Sequence, residues 1–227
     1  MYKYAYLFSD LIFVAAWLII FFWRKDTRKE LLWVSAIFGA SAYLMQPLFL
    51  IDWWHPETIT GTKFGIEDFM FCFFGGGGLS VLYQILFKKK TVPLNSLDDT
   101  NRFFGFFTII LFLFLNYFTF FVLSLHSFYS SVIAFGVAIF FIWLRRKDLI
   151  LPSLLIGFIS VPLAVLWFWW AEWLSPGWVQ NVWYLDKLSG LIILKAPIED
   201  LIWAFFAAAY ISVIYKFWRG EKLQGVS

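Results

Sequence analysis

Phe103–Val122 reads FFGFFTIILFLFLNYFTFFV, an uncharged run that is apolar on every side. A bilayer core of about 30 Å takes roughly 20 apolar residues of α-helix. A membrane-barrel strand would alternate apolar and polar residues, and this run does not, so the reading is helix. Six more stretches share its character. Together they predict spans at about 4–23, 31–54, 65–87, 103–124, 127–144, 149–174 and 197–218. The expected fold class is an all-α integral membrane protein with seven transmembrane helices.

The composition agrees. Of 227 residues 62% are apolar and 15% charged, with 30 Phe, 14 Trp and 10 Tyr, more apolar and aromatic weight than a soluble domain carries. The net charge of +3 sits in short clusters between apolar runs, which argues against a nucleic-acid partner. The partners expected are the lipid bilayer and an apolar ligand, with a homo-oligomer left open. One cysteine, Cys72, and two histidines, His55 and His126, make neither a disulfide nor a metal cluster, so no metal or other cofactor is expected. The first apolar run is followed by Arg24 and Lys25, the reverse of a secretory signal, and reads as a retained span.

Lys and Arg set the orientation. With seven spans, one side collects Arg24, Lys25, Arg28, Lys29, Lys88, Lys89, Lys90, Arg102, Arg145, Arg146, Lys147, Lys216, Arg219 and Lys222. The other has Lys3, Lys63, Lys187 and Lys195. This predicts a multi-pass protein of the cell membrane with its N-terminus outside and its C-terminus in the cytoplasm. Lys88–Arg102, with Pro93, Asn95, Asp98 and Asp99, reads as a cytoplasmic linker. Ser175–Lys195, with Trp178, Trp183 and Tyr184, reads as an outer segment in the membrane interface.

Spans three and seven repeat one another at a constant offset of 132: Ile66/Ile198, Glu67/Glu199, Asp68/Asp200, Phe73/Phe205, Phe74/Phe206, Ser80/Ser212, Val81/Val213 and Tyr83/Tyr215. Apolar helices match by chance at apolar positions, but not at a Glu-Asp pair as well. Spans two and six each end with an acid among tryptophans, Asp52 before Trp53 and Trp54, and Glu172 between Trp169-Trp170 and Trp173. Spans 1–3 and 5–7 therefore read as two parallel three-helix repeats, with span 4 as connector. The boundaries are 1–90 for the first repeat, 91–126 for linker and connecting span, and 127–227 for the second.

Glu67, Asp68, Glu199 and Asp200 thus fall in the first turn of two equivalent helices, with Asp52 and Glu172 at the same depth and Asp10 as a seventh acid. Stabilisation by the helix dipole explains one such carboxylate at about 0.3–1 kcal/mol. It does not require adjacent pairs in both copies, and ionisable groups within membranes mark function. A carboxyl group in apolar surroundings beside another holds a proton more tightly, giving one group that donates and one that accepts. Aromatic faces attract cations. Trp53, Trp54, Trp170, Trp173 and Trp203 are the rings that would line such a site, while most other rings are packing or interfacial belts. Acid plus aromatic lining suits carbocation chemistry on an apolar alkene. Gly75–Gly78 face alanines in the second copy (Ala207–Ala209), so close helix packing is expected there and not a phosphate loop. Cys72 reads as packing, and His55, beside Asp52 and Glu57, as a candidate relay.

Val182-Trp183-Tyr184-Leu185-Asp186-Lys187-Leu188-Ser189-Gly190 leading into Pro197-Ile198-Glu199-Asp200 resembles the lycopene cyclase domain family, the membrane-embedded type found as paired small subunits or fused. The resemblance covers nearly the whole chain and is most specific over Leu188–Tyr215. It implies cyclisation of a linear carotenoid end to a β-ionone ring, with no net redox. The Pro-x-Glu-Glu motif of that family falls on Glu199 and Asp200, and its other copy on Glu67 and Asp68. This implies Glu199 and Glu67 as proton donors and Asp200 and Asp68 as partners. Two departures stand out: Gly65 replaces the proline of the first copy, and Asp replaces the second Glu in both. The competing reading is a non-enzymatic binding or transport protein whose outer carboxylates hold a cation or proton. A retinal photoreceptor would need a lysine deep in a span, whereas Lys216 is at the cytoplasmic end of span seven and Lys195 precedes it.

Overall fold

The computed structural model describes residues 2–94 and 99–225. All seven predicted spans are helices long and apolar enough to cross a bilayer: Ala5–Trp23, Lys25–Asp52, Ile66–Leu86, Phe103–Phe121, Ser127–Arg145, Lys147–Leu174 and Ile198–Arg219. Within them the regular α-helices are α1 Ala5–Trp23, α2 Arg28–Asp52, α3 Ile66–Met70, α4 Gly76–Leu86, α5 Asp99–Phe121, α6 Ser127–Arg145 and α7 Ile150–Leu174, then a short α8 Trp178–Val182 and α9 Ile198–Arg219. A π-turn over Phe71–Gly75 joins α3 to α4. The protein is an all-α membrane protein of seven spans.

The most buried span is α9, which packs against α4, α5, α6 and α7. Small residues permit the close approaches. A Cβ added to Gly77 would run into the Ser35 hydroxyl and the Trp17 indole, so the glycine run does serve packing at that position.

Both Glu-Asp helices run the same way, because the chain leaving each enters one antiparallel ribbon. Strand β1, Lys89–Pro93, pairs with β4, Glu221–Gly225, and Thr91 opposite Leu223 is the middle pair. These strands keep the offset of 132, so the ribbon is centred on the equivalent pair Thr91 and Leu223, and the pairs on either side are related by a local twofold. Part of the predicted linker is therefore structural. Its Asn95 and Asp98 lie outside the described residues, as do the side chains of Asp99 and Arg102. The second small sheet is a hairpin of β2, Ile192–Ile193, and β3, Ala196–Pro197, turning through Leu194 and Lys195 at positive φ.

Two arginines tie spans to the ribbon by the same geometry. Arg24 grips Asp26 with two N–H···O bonds of 2.9 and 2.8 Å and reaches the Lys89 carbonyl at 3.0 Å. Arg146 grips Asp148 at 2.8 and 2.7 Å and reaches the Glu221 carbonyl at 2.8 Å. Such forks are geometrically specific. Arg24-Lys25-Asp26 and Arg146-Lys147-Asp148 stand 122 apart, so the offset changes by the extra length of the loop carrying α8.

Lys216 is not a loop charge. Its side chain is fully buried and donates to Glu30 Oε1 (2.5 Å), the Ser80 carbonyl (2.6 Å) and the Ser212 carbonyl (2.8 Å), using all three ammonium donors. Gln84, its equivalent at offset 132, donates to the other Glu30 oxygen at 2.7 Å. One acid of α2 thus holds α4 and α9 together near the ribbon.

Removing one partner of a buried ion pair leaves an uncompensated charge, at a cost of about 3–5 kcal/mol. Lys216→Met should lower thermal stability in detergent by that order, and adding Glu30→Gln to it should recover much of the loss. A double variant no more stable than the single one would refute the pairing.

Candidate functional site

Gly65 and Pro197 precede the two Glu-Asp helices, and the difference between them is one backbone N–H. Gly65 has it, and Asp68 Oδ2 accepts it at 2.8 Å, closing the first turn of α3. Pro197 has none. Asp200 is supplied instead by two indoles, accepting from Trp183 Nε1 at 3.0 Å and Trp53 Nε1 at 3.3 Å.

The glutamates are treated alike. Glu67 Oε1 accepts the Ile59 N–H at 2.6 Å, and Glu199 Oε1 accepts the Ser189 N–H at 2.7 Å. In each case the loop before the helix folds back over the carboxyl group. Both side chains are buried, and among the described residues neither Oε2 atom has a hydrogen-bond partner. Each glutamate is thus held by one oxygen and free at the other.

Around the first pair α1 adds two polar side chains. The Tyr6 hydroxyl donates to Asp68 Oδ1 at 3.2 Å. One turn further on, Asp10 is fully buried and neither of its oxygens has a partner. At offset 122 the second copy has Phe128 and Val132 at these positions, so the two centres are chemically unlike. A run of rings extends between them: Trp167 to Phe71 (5.4 Å between centroids), Phe71 to Trp203 (6.5 Å) and Trp203 to Trp53 (6.3 Å), whose indole reaches Asp200.

The supporting acids serve the loops. Asp52 accepts from the Ser127 hydroxyl (2.5 Å) and from the Ser127 N–H (3.0 Å), capping α6. The histidine beside Asp52 is His126, whose ring meets the Asp52 carbonyl at 3.0 Å, whereas His55 packs on Tyr184. Glu172 accepts the N–H groups of Gly177 (3.0 Å) and Val179 (2.7 Å), which fixes the start of α8. An open cleft of about 490 Å³ at this end is lined by Asp52, Phe120, Phe121, Ser124, Leu125 and His126, without either glutamate.

The tryptophans divide. Trp53 is buried on Asp200, and Trp203 is half-buried against Trp53 with an unpartnered indole N–H. Trp54 donates to Gln46 at 3.2 Å and packs on Tyr6. Trp170 and Trp173 stack on one another, with Trp173 72% exposed, so they face outward. The expected interfacial placement of Trp178 and Trp183 is corrected. Both are buried in the core with Tyr6, Trp53 and Phe168: the Trp183 N–H finds the Asp200 carboxyl group, whereas the Trp178 ring is held by aromatic packing and its N–H has no partner among the described residues. The exposed part of that segment is the aliphatic hairpin around Ile192, Ile193 and Leu194.

A family model described as lycopene cyclase matches residues 3–86 and 126–218, most of the chain, and each matched segment ends on one of the Glu-Asp helices. The chain belongs to the lycopene cyclase family. No curated protein and no solved structure matches it. Membership in the lycopene cyclase family brings a carotenoid cyclase-like function at family level. The departure at Gly65 has a local reason in this lycopene cyclase family member. A Cβ at Gly65 would run into the Thr58 side chain and Glu67 Oε2, and a proline there would also remove the donor to Asp68.

Gly65→Ala should therefore lower stability by about 1–3 kcal/mol, the usual range for overpacking. Gly78→Ala, where an added Cβ meets nothing, should stay within about 0.5 kcal/mol of wild type. Equal melting temperatures for the two variants in detergent would contradict this account.

Proposed function

We propose that this protein is an intramolecular isomerase that closes an end of a linear carotenoid, or a related isoprenoid, into a β-ionone ring by proton catalysis. The supporting observation is the pair of buried glutamates, each fastened through Oε1 and free at Oε2. A protonated carboxyl group whose second oxygen has no other partner has an O–H to deliver.

In this reading Glu67 and Glu199 give the proton, and Asp68 and Asp200 tune or accept it. The O–H proton adds to the terminal double bond and leaves a tertiary cation. The π pair of the next double bond forms the ring C–C bond, and the cation moves into the new ring. A neighbouring ring C–H then loses its proton to a carboxylate, and its electron pair becomes the ring double bond. One proton enters and one leaves, so there is no net redox. Aromatic faces at Phe71, Trp53 and Trp203 would stabilise the passing cation by up to about 2 kcal/mol each where desolvated.

The reading also assigns the two repeats to residues 1–90 and 127–227, joined through 91–126. It places the acids at the outer side of the cell membrane and the ribbon in the cytoplasm. The lysine and arginine asymmetry supports that orientation even without Lys216. Burial of both glutamates supports proton chemistry over cation binding, because a hydrated ion would need several oxygens open to it.

Expressed in a lycopene-accumulating host, the chain should yield cyclised carotenoid, and Glu199→Gln or Glu67→Gln should lower product by about 10²–10⁴-fold, the range for a lost general acid. Unchanged lycopene with the protein present in the membrane would overturn the cyclase reading. A Glu199→Gln variant that cyclises normally would overturn the assignment of that acid.

A further inference from the structure

Asp10 is the most costly group at the acid end. It is fully buried, and neither oxygen meets a donor, although a buried carboxylate would need one. Its nearest fixed neighbours are acidic or neutral: Tyr6, one turn before it on α1, donates to Asp68 Oδ1 at 3.2 Å, and α1 packs on α3, which carries Glu67 and Asp68. The Trp167 indole N–H lies beside it but outside hydrogen-bond geometry, and that N–H too is buried and unpartnered. Among the described residues no cation pairs with it. A second buried oxygen without a partner among the described residues is Glu67 Oε2, on the α3 helix that α1 packs against.

The placement is specific to one side of α1. Phe8, Leu11 and Ile12 are exposed around it, while Tyr6, Ser9 and Asp10 are buried. The Tyr6 hydroxyl is committed to Asp68, which fixes how α1 sits on α3. With Val132 at the equivalent place, the second copy does without such an acid.

We propose that Asp10 is a proton-holding residue that shares its proton with Glu67 and Asp68, so that the first centre is a three-carboxyl relay able to return the ring proton to the donor. This rests on the cyclase reading for its purpose and on geometry for its chemistry. After ring closure the proton lost from carbon sits on whichever carboxylate accepted it. Before the next turnover it must move to the oxygen that delivers it. A third carboxyl group with both oxygens free takes a proton on one oxygen and releases one from the other, with no change in the total. Asp10 acts through Glu67 and Asp68, and is thus a positioning residue for the proton.

The test uses the full chain in lipid nanodiscs, with Asp10→Asn and Asp10→Glu. Infrared spectra of the wild type should show carboxyl C=O absorption from buried protonated acids. Asp10→Asn should remove part of it, and Asp10→Glu should keep it at a shifted frequency. With lycopene supplied, Asp10→Asn should cyclise at least about tenfold more slowly, and Asp10→Glu should restore most of the rate. An unchanged C=O absorption in Asp10→Asn overturns the proposal, and so does a lost absorption with normal turnover. A wild type that cyclises nothing while Asp10→Asn still loses the absorption overturns the cyclase reading and leaves Asp10 as a proton-holding group.

Discussion

Carboxyl groups withdrawn from water need either a donor or a proton, and the acid end of this bundle is built around that requirement. Each of the two glutamates receives a single loop N–H, and each aspartate receives donors that differ between copies. The loops preceding α3 and α9 therefore follow the acids. Residues 58–65 and 189–197 fold over the helix starts because Ile59 and Ser189 must reach a carboxyl oxygen. Glu172 and Asp52 extend the same logic outward, one capping α8 and the other α6. The Oε2 atoms are buried and receive no donor among the described residues.

The opposite end solves a related problem with opposite charge. Lys216 and Glu30 are both buried, and they are tolerated because the ammonium satisfies all three donors and Gln84 covers the second carboxylate oxygen. Since Gln84 and Lys216 occupy equivalent positions, the pseudo-twofold relation is broken there by a single charge. The ribbon of β1 and β4 and the two arginine forks restore the relation just beyond it. A bundle of two similar halves has to fix how the halves meet, and a polar network with one arrangement does this better than interchangeable apolar faces.

Much of this could be read from the residues. The seven spans followed from uninterrupted apolar runs, because a bilayer imposes length and composition together. The Glu-Asp pairs followed from the offset of 132, which holds where the two copies have no insertion between them. The partners of those acids could not be read in that way. Tyr6 and Trp183 reach them from another helix and a loop, at sequence separations that carry no periodic signal. The match of Arg24-Lys25-Asp26 with Arg146-Lys147-Asp148 was present, but it stands at a different offset, since the loop carrying α8 lengthens the second copy. The aromatic richness of 175–195 pointed to the membrane interface, where composition alone cannot distinguish an indole at the surface from one buried on a carboxylate.

The inequality of the two centres follows from substitutions that are small in sequence and large in chemistry. Gly65 keeps an N–H that Pro197 lacks, so Asp68 is closed onto its own backbone while Asp200 is held by indoles from two other segments. Tyr6 and Asp10 stand where Phe128 and Val132 stand, so one centre is rich in exchangeable protons and the other is walled by rings. The two Glu-Asp helices share their first turn, their loop-held glutamate and the ribbon that follows them, and they differ in what surrounds the acids. Divergence at three positions beside the acids makes the two centres unlike while leaving the helices, the ribbon and the arginine forks common to both.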